Sequence, residues 1–346
     1  MINILLVGSL PPPIGGTTVS FKTLVDNLSD HTEANISVVD LSSGLSVKGL
    51  KSVKVKLLLL FKLFKSIKAT DVVTLHVSIG SLRLIGPFVL LLCKLLGKPL
   101  VVRRFGGVLI KECSRTSRLI LNMVYKYSDA GLLQTKTQLE EAKSLMSYAN
   151  WFPTSRNAPS FQCSVSNQCS KFLFLSQVKK NKGVFDLINA FGKYRNINKN
   201  VTLDIYGPLF DDIKEEDLAF DGINYRGVVS SGNIYEVINK HDILVLPTFY
   251  EGEGYPGIII EAMHCGKPII TTNWKNIPEV VDESCALIFN PQDVDSLYFH
   301  IKDVVENSDA YRGLCLGSKL RAREFDSKLM TNKFLDVCNI VLKGKK

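Results

Sequence analysis

The chain has 346 residues, is 46% apolar and carries 42 Lys and Arg against 33 Asp and Glu, a formal net charge of +9. That length exceeds what one hydrophobic core ordinarily serves, so two domains are expected. Apart from the segment Ser46–Thr70, no run is long and apolar enough for a spanning helix, and the eight cysteines contain no C-x-x-C pair, which argues against a membrane span, a zinc site and a disulfide framework.

The charge is unevenly placed. Residues 1–160 hold 20 Lys and Arg against 9 Asp and Glu, whereas residues 161–346 hold 22 against 24. A basic first half suits a phosphorylated ligand or an anionic membrane surface. It carries none of the zinc-finger, aromatic or heptad patterns of nucleic-acid binders, so no nucleic acid partner is expected.

In chain order, Met1 leads directly into a strand over Ile2–Val7, which reads as a cytoplasmic start rather than a signal peptide. A turn over Ser9–Gly16, with three prolines and the pair Gly15-Gly16, precedes a helix bearing Val19, Leu24, Val25 and Leu28. The segment Ser46–Thr70 has seven lysines and no acid. Drawn as a helix, it groups Leu50, Val53, Leu57, Leu60, Phe61, Phe64 and Ile67 on one side, with Lys48, Lys51, Lys54, Lys62 and Lys65 opposite. Strands at Ile36–Val39, Val72–His76 and Pro99–Arg103 complete an alternating α/β pattern. From Trp151 to Ser170 the sequence turns to Pro, Ser, Asn and Gln, an interdomain linker. The alternation then resumes with strands at Phe172–Leu175, Val201–Tyr206, Asn224–Gly227, Ile243–Pro247, Pro268–Thr271 and Ala286–Phe289. It ends in helices at Asp293–Val305, Tyr311–Phe325 and Leu329–Leu342.

The densest chemistry lies between Ile243 and Thr272. A strand runs into Thr248-Phe-Tyr-Glu-Gly-Glu253-Gly254-Tyr255-Pro256-Gly257, then a helix carrying Glu261, then Gly266-Lys-Pro. Pro256 suits a first helical turn and Gly266 a C′ position. The helix start falls on the glycine loop, so backbone N–H groups and the positive end of the helix dipole face the carboxyl edge of the sheet, where a diphosphate is stabilised. A carboxylate beside phosphate is repelled, so Glu253 and Glu261 are expected to accept hydrogen bonds from sugar hydroxyls.

The span E-G-Y-P-G-I-I-I-E-A-M-H-C-G-K-P resembles the E-x7-E signature of the retaining glycosyltransferases of family four, which have the GT-B fold. The likeness extends to Gly15-Gly16, Lys98-Pro99, the stretch from Phe174 through Lys182-Gly183 to Ile188, Asp204-Ile-Tyr-Gly207, Arg226-Gly227-Val228 and Asn290-Pro291. It implies an α/β chain of two Rossmann-like domains facing across a cleft, with C-terminal helices. Residues 1–160 would form the acceptor domain and 161–325 the donor-nucleotide domain, and residues 326–346 a helix packing back toward the first. By the same resemblance Glu261 binds the donor ribose and Glu253 the transferred sugar. Lys182 neutralises the diphosphate, with Gly254, Tyr255, Pro256, Gly257, Gly207 and Val228 lining the donor site.

Two positions depart from the family pattern. Gln177 stands where an arginine is expected, leaving Lys179 or Lys180 to supply the charge. Phe105-Gly106 stands where many relatives carry His-Gly, with Arg103 and Arg104 beside it. The N-domain candidates are therefore Gly15, Gly16, Arg104 and Phe105. Asp293-Val-Asp295 looks like a metal-binding D-x-D, but at the head of an apolar helix it is read as an N-cap, so no metal or other cofactor is expected. The function implied is transfer of a sugar from a nucleotide-sugar to a saccharide or lipid-diphosphate-linked acceptor in surface-polysaccharide synthesis, at the inner face of the membrane. Two alternatives stand beside it. One is a nucleotide-dependent oxidoreductase, although the first turn lacks G-x-G-x-x-G spacing; the other is a non-catalytic sugar-nucleotide-binding scaffold.

Overall fold

The computed structural model describes residues 1–13, 15–42 and 50–344, without the side chains of residues 50–57 and of Ser231. Lys48 lies outside the described residues, and so do the side chains of Leu50, Lys51, Val53, Lys54 and Leu57. The chain forms two compact units, Met1–Asn157 with Ser327–Lys346, and Ala158–Asp326.

The first unit is a six-stranded parallel sheet of β1 (Ile2–Gly8), β2 (Ala34–Asp40), β3 (Val72–Ser78), β4 (Leu100–Phe105), β5 (Ala130–Leu133) and β6 (Ala149–Trp151), in the order β2-β1-β3-β4-β5-β6. Its helices are α1 (Gly16–Ser29), α2 (Leu50–Lys68), α3 (Ile79–Leu95), α4 (Arg115–Tyr127), α5 (Lys136–Lys143) and, from the chain's end, α11 (Ser327–Lys343). Right-handed crossovers determine which face each helix covers. The link from β1 to β2 runs against the direction of the later ones, so α1 lies on one face, while α2, α3 and α4 lie on the other. The core divides accordingly. Phe21, Leu24, Phe334 and Cys338 pack on the α1/α11 side, and Leu63, Ile67, Val89, Leu121 and Val124 on the α2/α3/α4 side.

Central strands covered on both faces read as unbroken apolar runs. The two short strands β5 and β6 give no such signal, and the expected linker start at Trp151 is corrected: Trp151 ends β6 and pairs with Leu133. The expected placement of Phe61 and Phe64 on the same apolar side of the basic helix as Ile67 is corrected too. Leu63 and Ile67 of α2 are buried, but Leu58, Phe61 and Phe64 stand exposed on the side that carries Lys62, Lys65 and Lys68. The helix has more apolar residues than its core-facing stripe can accommodate.

The second unit is a six-stranded parallel sheet of β7 (Lys171–Leu175), β8 (Thr202–Tyr206), β9 (Ile223–Tyr225), β10 (Ile243–Leu246), β11 (Ile269–Thr272) and β12 (Ala286–Phe289), in the order β12-β11-β10-β7-β8-β9. Its helices are α6 (Val184–Arg195), α7 (Ile234–Asn239), α8 (Gly257–His264), α9 (Val294–Glu306) and α10 (Ser308–Ala322). Asp293 caps α9, its carboxylate accepting from the Ser296 N–H at 3.0 Å and the Ser296 hydroxyl at 2.7 Å, which accounts for the D-x-D pattern as a helix start. All eight cysteines are free.

Candidate functional site

The order of the second sheet reverses at β7: the chain moves outward through β8 and β9, then returns to place β10 on the other side of β7. The loops leaving β7 and β10 therefore diverge at their carboxyl ends, the crevice in which doubly wound sheets bind ligands. Those two loops carry Lys182 and Glu253.

Their backbones meet first. Gly183 has φ +76°, and a Cβ there would collide with the Pro247 carbonyl oxygen, so only glycine allows the approach. The Phe249 N–H donates to the Asn181 carbonyl at 2.8 Å, tying the β10 loop to the short 3-10 turn Lys180–Lys182. Gly207, at φ +139° after β8, lies against the Ser176 carbonyl oxygen in the same way.

On this frame Lys182 Nζ donates to Glu253 Oε2 at 2.5 Å, and both residues are only 8% exposed. The Thr248 hydroxyl donates to the same oxygen at 2.9 Å. The ammonium of Lys182 also lies 4.8 Å from the Tyr250 ring centroid. Lys179 Nζ is 4.3 Å from the Phe210 ring and 5.9 Å from Tyr250, so Lys179 and Lys182 share one aromatic neighbour while Lys180 is exposed. Beside them Asn181 Oδ1 is buried without a hydrogen-bond partner. A buried acceptor left unpaired is costly, and a donor on a bound ligand would relieve that cost here.

Helix α8 begins at Gly257 with Pro256 as its N-cap, one residue earlier than the first-turn position expected of this proline. Pro256 offers no side-chain cap. The first N–H groups of α8 are thus available to a ligand, apart from that of Ile259, which donates to Pro256 O at 3.2 Å. Glu261 is buried in the second turn. Tyr255 departs from expectation: its hydroxyl donates to Glu279 Oε2 at 2.6 Å and its ring packs against Phe325, so only its backbone borders the loop. Gln177 and Val228 are exposed, and Gly254 is buried.

Thr248, Tyr250 and Asn181 escaped the sequence reading. Trp274 joins them, donating from Nε1 to the Tyr250 carbonyl at 2.8 Å. Asn181, Tyr250 and Trp274 make their contacts across loops distant in sequence, which no local spacing encodes, whereas Thr248 reaches Glu253 within its own loop.

In the first unit Gly15 and Gly16 are exposed at the head of α1, and a Cβ on Gly16 would meet nothing within 4 Å. The glycine that close strand–helix packing demands is Gly8, where a Cβ would strike the Phe21 ring. Arg104 is corrected: it is fully buried, donating to Val108 O at 3.0 Å and facing Glu141 at 3.6 Å, so its guanidinium is not offered to a ligand. Arg103 points to the opposite face, as strand alternation requires, donating to Ser20 Oγ at 2.9 Å between the rings of Phe105 and Phe152. Burial, then the neighbouring Arg156, holds its pKa down to about 9. Phe105 is likewise buried.

Residues 169–307 match the family model described as Glycosyl transferases group 1. An O-antigen chain mannosyltransferase B of Escherichia coli is 31% identical over 120 residues, 34% of this chain and 30% of that protein. An uncharacterized 41.2 kDa protein in the cps region of Klebsiella pneumoniae is 26% identical over 225 residues, 64% of this chain and 58% of that protein. The chain thus spans less than two thirds of either relative. Among solved structures, Anabaena Alr3699/HepE in complex with UDP and glucose aligns with a TM-score of 0.74 at 14% identity, over 98% of this chain and 100% of that one. That likeness shows the fold, a pair of Rossmann-like α/β units of the GT-B class.

Proposed function

We propose that the protein is a retaining, metal-independent glycosyltransferase. It would move a hexosyl or N-acetylhexosaminyl group from a nucleotide-sugar to a saccharide, free or carried on a lipid diphosphate, in the synthesis of a cell-surface polysaccharide. The site of action would be the cytoplasm, at the inner face of the membrane. The observation that carries the reading is the buried pair of Lys182 and Glu253 at the switch point of the second sheet, beside the uncapped start of α8. The match of residues 169–307 and the two surface-polysaccharide relatives support it.

Transfer requires stabilising the departing nucleoside diphosphate as positive charge develops at the anomeric carbon. Lys182, Lys179 and the first N–H groups of α8 supply that stabilisation, each well-placed donor being worth about 2.7–4 kcal/mol. Glu253 holds the Lys182 ammonium in place and accepts a hydroxyl of the transferred sugar, and Glu261 accepts the ribose hydroxyls. No second carboxylate is assigned as a covalent nucleophile, so retention would follow from attack on the face the diphosphate leaves. The oxidoreductase and scaffold alternatives have no observation in their favour.

Titration of UDP-, GDP-, ADP- and dTDP-sugars by calorimetry, followed by NMR of the anomeric proton in the product, tests the reading. It predicts binding of one nucleotide class and acceptor-dependent release of the nucleoside diphosphate with the anomeric configuration kept. Absence of binding by every donor, or an inverted product, refutes it.

A further inference from the structure

Strand β8 alternates along its length. Leu203 and Ile205 are wholly buried, while Thr202, Asp204 and Tyr206 turn to the other side and keep access to solvent. Helix α7, only six residues long, ends beside that side of the sheet. A cavity of about 820 Å³ opens there, floored by β8 and β9 and walled by residues 239–242. Lys182, Glu253 and Glu261 are not among its lining residues.

Residues 161–346 are net negative, yet this cavity is lined by Lys171, Arg226, Lys240 and Lys267 against Asp204 and Asp242. Both carboxylates are already engaged. Asp204 Oδ1 accepts from Asn224 Nδ2 at 2.8 Å and its Oδ2 from Arg226 Nε at 3.2 Å, with His241 Nε2 3.4 Å from the same oxygen. Asp242 Oδ2 accepts from the N–H groups of Ser170 and Lys171, each at 2.9 Å, and from the Ser170 hydroxyl at 3.3 Å. The donors are in the opposite condition. The ammonium groups of exposed Lys171 and Lys240, the Tyr206 hydroxyl and both Nη groups of Arg226 have no hydrogen-bond partner among the described residues. Arg226 is 49% exposed and tied to Asp204 through Nε, which leaves its Nη groups to fork onto an oxyanion. Lys267, buried beneath, donates to the Ser164 and Asn239 carbonyl oxygens at 2.7 and 3.3 Å, so its charge meets no carboxylate hydrogen bond.

A lining whose acceptors are spent and whose donors are not favours an anionic guest, and several cations in one cavity favour a dianion over a single carboxylate. The volume far exceeds that of a phosphoryl group and is typical of sites for small organic molecules. We propose that the cavity binds a phosphate monoester of a sugar. Arg226, Lys171 and Lys240 would hold the phosphoryl oxygens, and the hydroxyls of Thr202 and Tyr206 would meet those of the sugar. The proposal rests on the second unit alone and is independent of the glycosyl-transfer reading.

The test is calorimetric titration of the full chain with inorganic phosphate and with the 6-phosphates of glucose, mannose and fructose. A hexose phosphate is expected to bind as one molecule per chain, at least about tenfold more tightly than inorganic phosphate, and more weakly as salt is added. Lys171→Gln and Lys240→Gln should each weaken it about tenfold, with an unchanged circular dichroism spectrum because both side chains are exposed. Arg226→Lys, which keeps the charge and loses the fork, should weaken it by a similar factor. Lys193→Gln, at an exposed lysine of α6 outside the cavity, should leave it unchanged, and so should Glu261→Ala. Absence of binding by all three hexose phosphates, equally tight binding of inorganic phosphate, or parent affinity in the three cavity variants overturns the proposal. So does an equal loss in Lys193→Gln, the mark of a diffuse charge effect, or a loss in Glu261→Ala, which would put the sugar phosphate in the crevice beside α8 instead.

Discussion

The ammonium of Lys182 and the carboxylate of Glu253 lie 2.5 Å apart, from loops separated by 71 residues, and both are almost wholly buried. A buried pair of this kind is costly to break from one side, because the remaining charge is left uncompensated. Lys182→Ala should therefore destabilise the second unit by about 3–5 kcal/mol, more than the double change of Lys182→Met with Glu253→Leu, which removes both charges. Urea denaturation of the three proteins decides the matter, and equal losses in the single and double variants would count against a coupled pair. Lys182→Ala should also lower kcat by a factor of about 100–1,000, measured well below the denaturation threshold.

Gly183 tests whether the contact between the two loops requires its backbone conformation. At φ +76° with the Pro247 carbonyl oxygen against its Cα, Gly183→Ala adds both strain and a collision. A loss of at least about 1–3 kcal/mol is expected, with weakened nucleoside diphosphate binding as Lys182 shifts. Gly16→Ala, where a Cβ meets open space, should stay within about 0.5 kcal/mol of the parent. Similar losses in the two variants would remove the argument for a tight loop contact.

Glu261 and Gln177 separate the ends of the proposed donor. Glu261→Ala should weaken binding of the nucleoside diphosphate itself, because ribose hydroxyls lose their acceptor, whereas Glu253→Ala should mainly lower turnover. Gln177 is exposed near Lys179, so Gln177→Arg should tighten diphosphate binding by adding a bidentate donor. Calorimetry with the nucleoside diphosphate alone gives both answers. Parent-like affinity in Glu261→Ala would move the ribose elsewhere, and parent-like affinity in Gln177→Arg would place position 177 away from the phosphates.

The parts of the sequence that announced themselves were those in which local pattern and tertiary demand coincide. Strand β10 is a short apolar run ended by Pro247, and α8 is bounded by Pro256 and Gly266, so the unit holding Glu253 and Glu261 was readable from its punctuation. Lys182-Gly183 stood out only through its resemblance to the family motif, although its glycine does occupy a left-handed position. What stayed hidden depends on three-dimensional partners. Arg103 and Arg104 look like a basic pair at a strand end, but with both sheet faces covered each side chain is taken into a different core layer. Phe61 follows the apolar periodicity of a buried stripe yet points outward, because periodicity ranks faces without saying which one the sheet covers. Tyr250 came beside Lys182 only when the β7 and β10 loops were brought together.

His76 provides a pH test within the first unit. Its ring is buried between Phe21 and Phe334, with centroids at 4.8 and 5.8 Å. The Thr74 hydroxyl donates to Leu5 O at 3.0 Å, so the 2.8 Å contact from Thr74 to His76 Nε2 assigns the ring proton to Nε2 and leaves the buried Nδ1 as an unpartnered acceptor. Burial, reinforced by the Arg103 charge, holds the imidazole well below its ordinary value. In the unfolded chain the same imidazole takes up a proton near pH 6.5. As pH falls below that value the unfolded state binds a proton that the folded state refuses, and stability declines with a slope of up to about 1.4 kcal/mol per pH unit. The loss begins near pH 6.5, well above the range in which the depressed carboxylates Asp40 and Asp204 contribute. His300, also held down by burial, acts in the same window, so the comparison needs a variant. The parent should lose more stability between pH 7 and pH 5 than His76→Gln, whatever the offset between them at neutral pH. Parallel curves of unfolding free energy against pH for the two proteins would show that His76 is protonated as readily in the folded unit as in the unfolded chain.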